Sequence, residues 1–248
     1  MKTVIISDIH LGSKNSQAGW LLRFLDTDFD RLIVNGDTIN NLNLRKLKDS
    51  HWAVLDKLRQ IGLKRELIMI RGNHDGHVTR NDGLCPAEVL PALLGVPIQD
   101  EYQLEMGNRH YLILHGDRFD PTVHRPMITD AADWCYQTVQ KVNKKAAKWL
   151  KRKVKKVGGV LELVKRQSVR YVQAAGCQGV ITGHTHFPLD EWIDGIHYLN
   201  SGCWTDRPCT YLYAQNDRIE LMTWDADSRV PREKENTRLV FNSSALSA

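Results

Sequence analysis

The feature of this chain that most restricts its fold is an apolar strand that stops on a metal-ligating side chain. The run Thr3-Val4-Ile5-Ile6-Ser7-Asp8-Ile9-His10 opens with β-branched residues and ends in a carboxylate and an imidazole two positions apart. Such a run reads as a buried strand. In an extended chain, side chains at i and i+2 leave the backbone on the same side, so Asp8 and His10 can converge on one point. An oxygen donor beside an imidazole suits a divalent first-row metal better than calcium or a structural zinc. The same grammar returns four times. It appears as Arg31–Asn35 before Gly36-Asp37, Glu66–Ile70 before Arg71-Gly72-Asn73-His74-Asp75, Arg109–Leu114 before His115-Gly116-Asp117, and Gly179–Thr182 before Gly183-His184-Thr185-His186.

Helical patterns separate these strands. Residues 17–25 form a short amphipathic helix on Trp20, Leu21, Phe24 and Leu25, and residues 47–61 a second, with Trp52, Leu55, Leu58 and Ile61 on one stripe and Gly62 closing it. Pro86–Leu94 reads as a third helix, and strands at 102–105 and 109–114 around Gly107-Asn108 as a hairpin. Strand, helix, strand, helix, strand with nearly continuous apolar strands predicts an α/β chain with a parallel, two-sided sheet. From about 121 to 176 the pattern is wholly helical, interrupted at Gly158-Gly159. Leu189–Ile193, Ile196–Asn200, 210–214 and 219–224 alternate like antiparallel strands, and periodicity is lost from Asp225. The expected organisation is a core of residues 1–120 and 177–225, a basic helical insertion at 121–176, and a loose tail at 226–248.

No apolar run approaches the roughly 20 residues needed to cross a bilayer, and residues 1–30 lack the layout of a secretory signal. The five cysteines (Cys85, Cys135, Cys177, Cys203, Cys209) are odd in number and form no C-x-x-C pair. Disulfide and zinc-cluster readings are therefore poor, and a reducing cytoplasm is the expected location.

Asp8, His10, Asp37, Asn73, His74, His115, His184 and His186 all fall just past strand C-termini, the edge where open α/β sheets build sites. They are too many for one ion with an open position. They are about right for two ions sharing a carboxylate, which at about 3.5–4 Å apart can clamp a phosphate ester and turn a bridging water into hydroxide. Glycines at 36, 72, 116 and 183 let the backbone turn close to the ions. Each of these residues alone is more often a turn or a solvated group; the set is what points to a metal centre.

Asp8-Ile9-His10, Gly36-Asp37, Gly72-Asn73-His74-Asp75, His115-Gly116-Asp117 and Gly183-His184-Thr185-His186 together resemble the calcineurin-like metallophosphoesterase signature, every block present and in order. The resemblance implies a four-layer α/β/β/α sandwich and a dinuclear centre, with manganese first and iron or zinc as alternatives. By that likeness one ion takes Asp8, His10, Asp37 and His186, and the other Asp37, Asn73, His115 and His184. His74 would orient the phosphate or protonate the leaving oxygen, held by Asp75. Within the superfamily the chain is most similar to UDP-2,3-diacylglucosamine diphosphatase and its relatives. The carriers of that likeness are the His115-Gly116-Asp117-x-x-Asp120 block, the helical insertion, and Asn200-Ser201-Gly202-Cys203-Trp204-Thr205. Those enzymes release UMP from a nucleotide-linked lipid at the inner membrane face. The best-known members of that group carry arginine where this chain has His74, which places it on a divergent branch.

From Lys141 to Lys156 nine basic residues and no acidic one are interleaved with Val142, Ala146, Trp149, Leu150 and Val154. A helix of that kind can lie on anionic lipid as a peripheral membrane contact, pack as a lid, or touch nucleic-acid phosphates nonspecifically. No specific nucleic acid is expected. Arg71, Arg80 and Arg118 flank the ligand loops and are candidates for a phosphate oxygen; His124 and Trp149 are further substrate candidates. The reading is a metal-dependent hydrolase acting on a nucleotide-linked lipid. The alternatives are a soluble nucleotide or phosphoprotein phosphatase and a non-catalytic scaffold.

Overall fold

A computed structural model of the chain describes residues 1–41, 43–76, 86–123 and 144–224, with side chains from 158 onward in the last segment. Among the described residues eleven strands fall in two sheets. The first sheet holds β1 (Thr3–Ile6), β2 (Arg31–Asn35), β3 (Glu66–Ile70), β4 (Ile98–Gln99), β10 (Cys209–Gln215) and β11 (Arg218–Trp224), in the order β11-β10-β1-β2-β3-β4. The second holds β5 (Glu101–Met106), β6 (Arg109–Leu114), β7 (Gly179–Thr182), β8 (Leu189–Ile193) and β9 (Ile196–Asn200), in the order β5-β6-β7-β9-β8.

The two sheets are both mixed, in keeping with the four-layer α/β/β/α sandwich expected from the resemblance. β1 to β3 run parallel as anticipated and the two-residue β4, not expected from the sequence, extends them, while β10 lies antiparallel to β1 and closes that side with β11. β6, β7 and β9 are parallel, flanked by antiparallel β5 and β8. Pairing between residues some 200 positions apart leaves no local trace in the sequence.

Strand alternation builds three apolar layers. Val4, Ile6 and Val34 face helices α1 (Ala18–Leu25), α2 (Asp49–Lys64) and α4 (Pro86–Leu94), where Leu21, Phe24, Val54 and Leu58 meet them. Ile5, Ile33, Ile113, Ile181 and Leu212 fill the space between the sheets. Leu114, Val180 and Tyr198 take Leu161, Val169 and Val172 of the long helix α5 (Lys144–Ala174) on the outer face of the second sheet. A four-residue turn of helix, α3 (Asn73–Gly76), follows β3 directly. Helix, sheet, sheet and helix are therefore stacked in four layers.

Two glycines behave differently from expectation. Gly62 does not close α2, which runs on to Lys64; it lies inside the helix where a Cβ would sit 3.2 Å from Val96 Cγ1. Gly158 and Gly159 do not divide α5, which is continuous through them. Each interior glycine costs about 1 kcal/mol relative to alanine, an amount that burial of Leu161, Val164, Val169 and Val172 against the sheet offsets. Trp52 is exposed, and His51 takes the buried place on α2 beside Val54, Leu55, Leu58 and Ile61. Residues 124–143 and the tail from 225 lie outside the described residues.

Candidate metal centre

The loops after β1 and β2 continue side by side beyond the sheet: Asp8 N–H donates to Gly36 O, His10 N–H to Asp37 O and Leu11 N–H to Thr38 O. In the second sheet Gly183 N–H donates to His115 O, and Trp204 N–H reaches back to Asp8 O, joining the two sets of loops. Asp8, His10, Asp37, His184 and His186 all have left-handed backbone, with φ between 49° and 63°. Non-glycine residues there are uncommon and strained unless the surroundings hold them. The strain aims each side chain back across the sheet edge. The other left-handed non-glycine residues among those described, Asp194, Asn216 and Asp217, sit in ordinary turns.

The side chains converge, although left-handed backbone at Asp8 and His10 replaces the extended i, i+2 geometry expected there. Asp37 Oδ2 lies 3.5 Å from His10 Nε2 and 3.4 Å from His115 Nε2. Asp8 Oδ1 lies 3.1 Å from His186 Nε2 and 3.8 Å from His10 Nε2, and the two imidazole nitrogens of His10 and His186 face each other at 3.2 Å. His184 Nδ1 is 3.0 Å from Asn73 Oδ1. Asp8, His10 and His186 form one group able to hold a cation, Asp8, Asp37 and His115 another, and His10, Asp37 and His74 a third. The glycines allow this approach: a Cβ on Gly72 would overlap the Asp37 carboxylate and backbone nitrogen, and one on Gly36 would overlap the His115 ring.

The donors fit a cation. Asp8 and Asp37 are 0% and 2% exposed, and buried carboxylates need a compensating charge. Asp8 Oδ1 and His115 Nε2 are buried without a directed hydrogen bond. His184 gives its Nε2–H to Asp120 at 2.9 Å; in the neutral ring this turns the Nδ1 lone pair toward the Asn73 oxygen. Two acceptors meeting in that way are reconciled by a positive ion between them. Oxygen and imidazole donors together suit divalent first-row metals.

Charge within the cluster is distributed accordingly. Burial alone would raise the Asp8 carboxyl, but the charge of His186, with His10 beside it, holds it well below the usual carboxylate range. Asp37 is lowered too, the charge of His115 outweighing burial. Burial opposes the charge on His115, yet Asp37 lifts it to about 10.

His74 Nδ1 faces Asn40 O at 2.8 Å, and its backbone N–H donates to Asp37 Oδ1 at 2.8 Å. The expected support of His74 by Asp75 is not what the structure builds. Asp75 is buried beneath the loops and accepts the N–H groups of Thr38, Ile39 and Gly72. Burial and the neighbouring Asp37 raise its carboxyl to about 7. Arg71 and Arg118 are turned elsewhere, Arg71 to Asp100 and Arg118 to Glu101 and the Tyr171 ring. Arg80, His124 and the Trp149 side chain lie outside the described residues.

Reading the sequence for ligands missed the groups that hold them. His115 Nδ1–H donates to Asn35 O at 2.8 Å. Asp120 accepts from His184, and hydrogen bonds from His184 and Thr122 keep its carboxyl at about 2 against the effect of burial. Thr205 Oγ1 stands 3.4 Å from His186 Nδ1. Asn200 donates to Gly183 O and to Thr185 Oγ1, clamping the loop that carries His184 and His186. Asp120, Asn200 and Thr205 lie in blocks that carry the family likeness, but nothing local assigns them these supporting contacts.

The comparisons agree with this geometry. Residues 1–217 match the family described as the calcineurin-like phosphoesterase superfamily domain. Among solved structures, Yfce, a phosphoesterase from E. coli, superposes with a TM-score of 0.53 at 20% identity, covering 93% of this chain and 97% of that one. Vps29 from Entamoeba histolytica, complexed with zinc, gives 0.48 at 16%, covering 92% and 95%. Among curated proteins no sequence matches. Sandwich, loop geometry and the match over residues 1–217 lead to one conclusion: the chain belongs to the calcineurin-like phosphoesterase superfamily and is a metal-dependent phosphoester hydrolase.

Proposed function

We propose that the centre holds two divalent ions and cleaves the pyrophosphate of UDP-2,3-diacylglucosamine or a related nucleotide-linked lipid, releasing UMP. The observation that carries the two-ion reading is Asp37 Oδ2, nearly equidistant from His10 Nε2 and His115 Nε2. Asp8, His10, Asp37 and His186 would hold one ion, and Asp37, Asn73, His115 and His184 the other. Manganese fits the mixed oxygen and nitrogen donors, as do iron and zinc. Such ions, when bound, supply Lewis acidity toward a phosphate ester and acidify a water. The chain's own part is to fix the donors and to move a proton. His74, with Nδ1–H given to Asn40 O, keeps Nε2 for the departing oxygen, and as imidazolium it donates that proton.

The lipid reading draws on the likeness of the His115 to Asp120 block and on the basic run from Lys141 to Lys156. The insertion at 121–176 serves in this reading as a cap against anionic lipid at the inner face of the membrane, with 226–248 as a separate tail. No helix among the described residues is long and apolar enough to cross a membrane, so contact with the bilayer would be peripheral.

Incubation with UDP-2,3-diacylglucosamine and Mn2+ tests the proposal, with UMP as the expected product. Cleavage of an aryl phosphodiester, lost in Asp37→Ala, without any UMP from the lipid would favour a soluble nucleotide or phosphoprotein phosphatase. His74 supports that second reading, since it stands where the lipid enzymes it resembles carry arginine. Co-sedimentation with anionic vesicles, compared with a variant whose insertion lysines are neutralised, tests the membrane contact; equal pelleting would remove it.

A further inference from the structure

The ligands come from two sheets. Asp8, His10, Asp37 and Asn73 stand on loops of the first, and His115, His184 and His186 on loops of the second. Between the sheets the contact is largely apolar, and apolar burial is non-directional. It presses the two halves together without fixing their register at the resolution a metal centre needs. Asn35, the last residue of β2, crosses this layer at its ligand end. Its side chain is fully buried, at 0% exposure. Nδ2 donates to Leu114 O at 3.1 Å and to Ile181 O at 3.5 Å, the ends of β6 and β7. Its own backbone carbonyl takes the Nδ1–H of His115 at 2.8 Å. Leu114 directly precedes His115, Ile181 is two residues before Gly183, and Asn35 is two residues before Asp37. One amide therefore touches the roots of three ligand loops. Asn35 Oδ1 has no partner, so the residue is not there for fully satisfied polar packing, and an apolar side chain of similar volume would suit the layer better.

We propose that Asn35 is a positioning residue whose amide sets the separation between the two halves of the metal centre. The proposal rests on the two-ion reading above. It assigns Asn35 no contact with substrate. Its backbone carbonyl fixes the His115 tautomer, and its side chain fixes how far His115 and the His184 loop stand from Asp37. Outer partners of this sort govern metal affinity as well as orientation.

The test uses the full chain and Mn2+ or Co2+ alone. Asn35→Leu removes the donor, keeps the volume and leaves the carbonyl to His115 in place. Calorimetric titration of Mn2+ should show the event assigned to the His115 side weakened about 10- to 100-fold, and the visible bands of the Co2+-loaded protein should shift. Urea unfolding of the metal-free variant should show a midpoint no lower than that of the wild type, which separates positioning from general support. Wild-type affinity and an unaltered Co2+ spectrum in Asn35→Leu would overturn the proposal. Should the leucine variant not fold, Asn35→Ala is judged by the same two metal readouts. A wild-type chain that takes up two ions while both variants match it removes this proposal only; a wild-type chain that takes up none removes the two-ion reading with it.

Discussion

His184 and Asp120 form a partly buried pair at 2.9 Å, with the imidazole giving its outer N–H to the carboxylate and keeping its inner nitrogen beside Asn73. A carboxylate behind a ligating histidine fixes the tautomer and strengthens the donor. Asp120→Ala should therefore weaken binding of one Mn2+ by about 10- to 100-fold and leave the other close to wild type. Isothermal titration resolves the two events. Equal weakening of both would mean that the change spreads through the fold rather than through His184.

His74 offers a kinetic test. Its backbone N–H to Asp37 survives replacement of the side chain, so His74→Asn should retain both ions. Its kcat on an ester with a poor alkoxide leaving group should fall about 10²- to 10⁴-fold. On a p-nitrophenyl ester, whose leaving group departs without a proton, the loss should be much smaller. Equal losses on the two substrates would exclude a proton-donor role.

The close approach of the β2 and β3 loops gives a steric expectation. A methyl group on Gly72 would overlap Asp37, and forced overpacking of this kind costs about 1–3 kcal/mol. Gly72→Ala should unfold at lower urea and lose most of its metal-dependent activity, because Asp37 must move. Gly95→Ala is the control for space, since no atom lies within 4 Å of that Cβ, although its φ of +75° still carries backbone strain. A Gly72→Ala protein with full activity would show that the loops can part without consequence.

His51 supplies a pH dependence away from the ligands. Its Nδ1 accepts N–H groups from Gly12 and Lys48, both at 3.2 Å. Burial first, and then Lys48, lower its pKa from the usual 6.5. The folded state thus resists protonation that the unfolded chain accepts, so this contribution to stability is intact above about 6.5 and is lost as the pH falls below it. Urea titrations of the wild type and His51→Asn between pH 5 and 8 should diverge at the acid end, the variant falling less steeply. Parallel curves would assign the acid sensitivity to other groups.

Asp8, His10, Asp37, Asn73, His115, His184 and His186 stand out in the sequence as candidate donors because each closes an apolar strand beside a glycine-bearing loop, and the structure brings their side chains near one another. The four layers are legible through the likeness of these blocks to a known family, since the strand pattern by itself speaks only for a parallel sheet. Other features depend on contacts that local pattern does not carry. Asp75 looked like a partner for its neighbour His74, but backbone N–H groups from 36 and 37 residues earlier claim it. His51 lies off the apolar stripe read for α2 and is buried where the loop after β1 meets that helix. Gly62 and Gly158-Gly159 carry the marks of helix ends, and packing overrides them. Asn35 reads as the end of a strand; its reach to a second sheet 79 and 146 residues away is invisible before folding.

The left-handed residues at Asp8, His10, Asp37, His184 and His186 have a bearing on how this protein can be improved by engineering. Conformations of that kind cost roughly 1 kcal/mol or more apiece, so glycine at any of them is expected to yield a hardier protein that no longer turns over substrate. Screens that reward heat resistance alone would select such losses first. Any search for a sturdier variant should therefore count turnover alongside survival, or hold those five positions fixed.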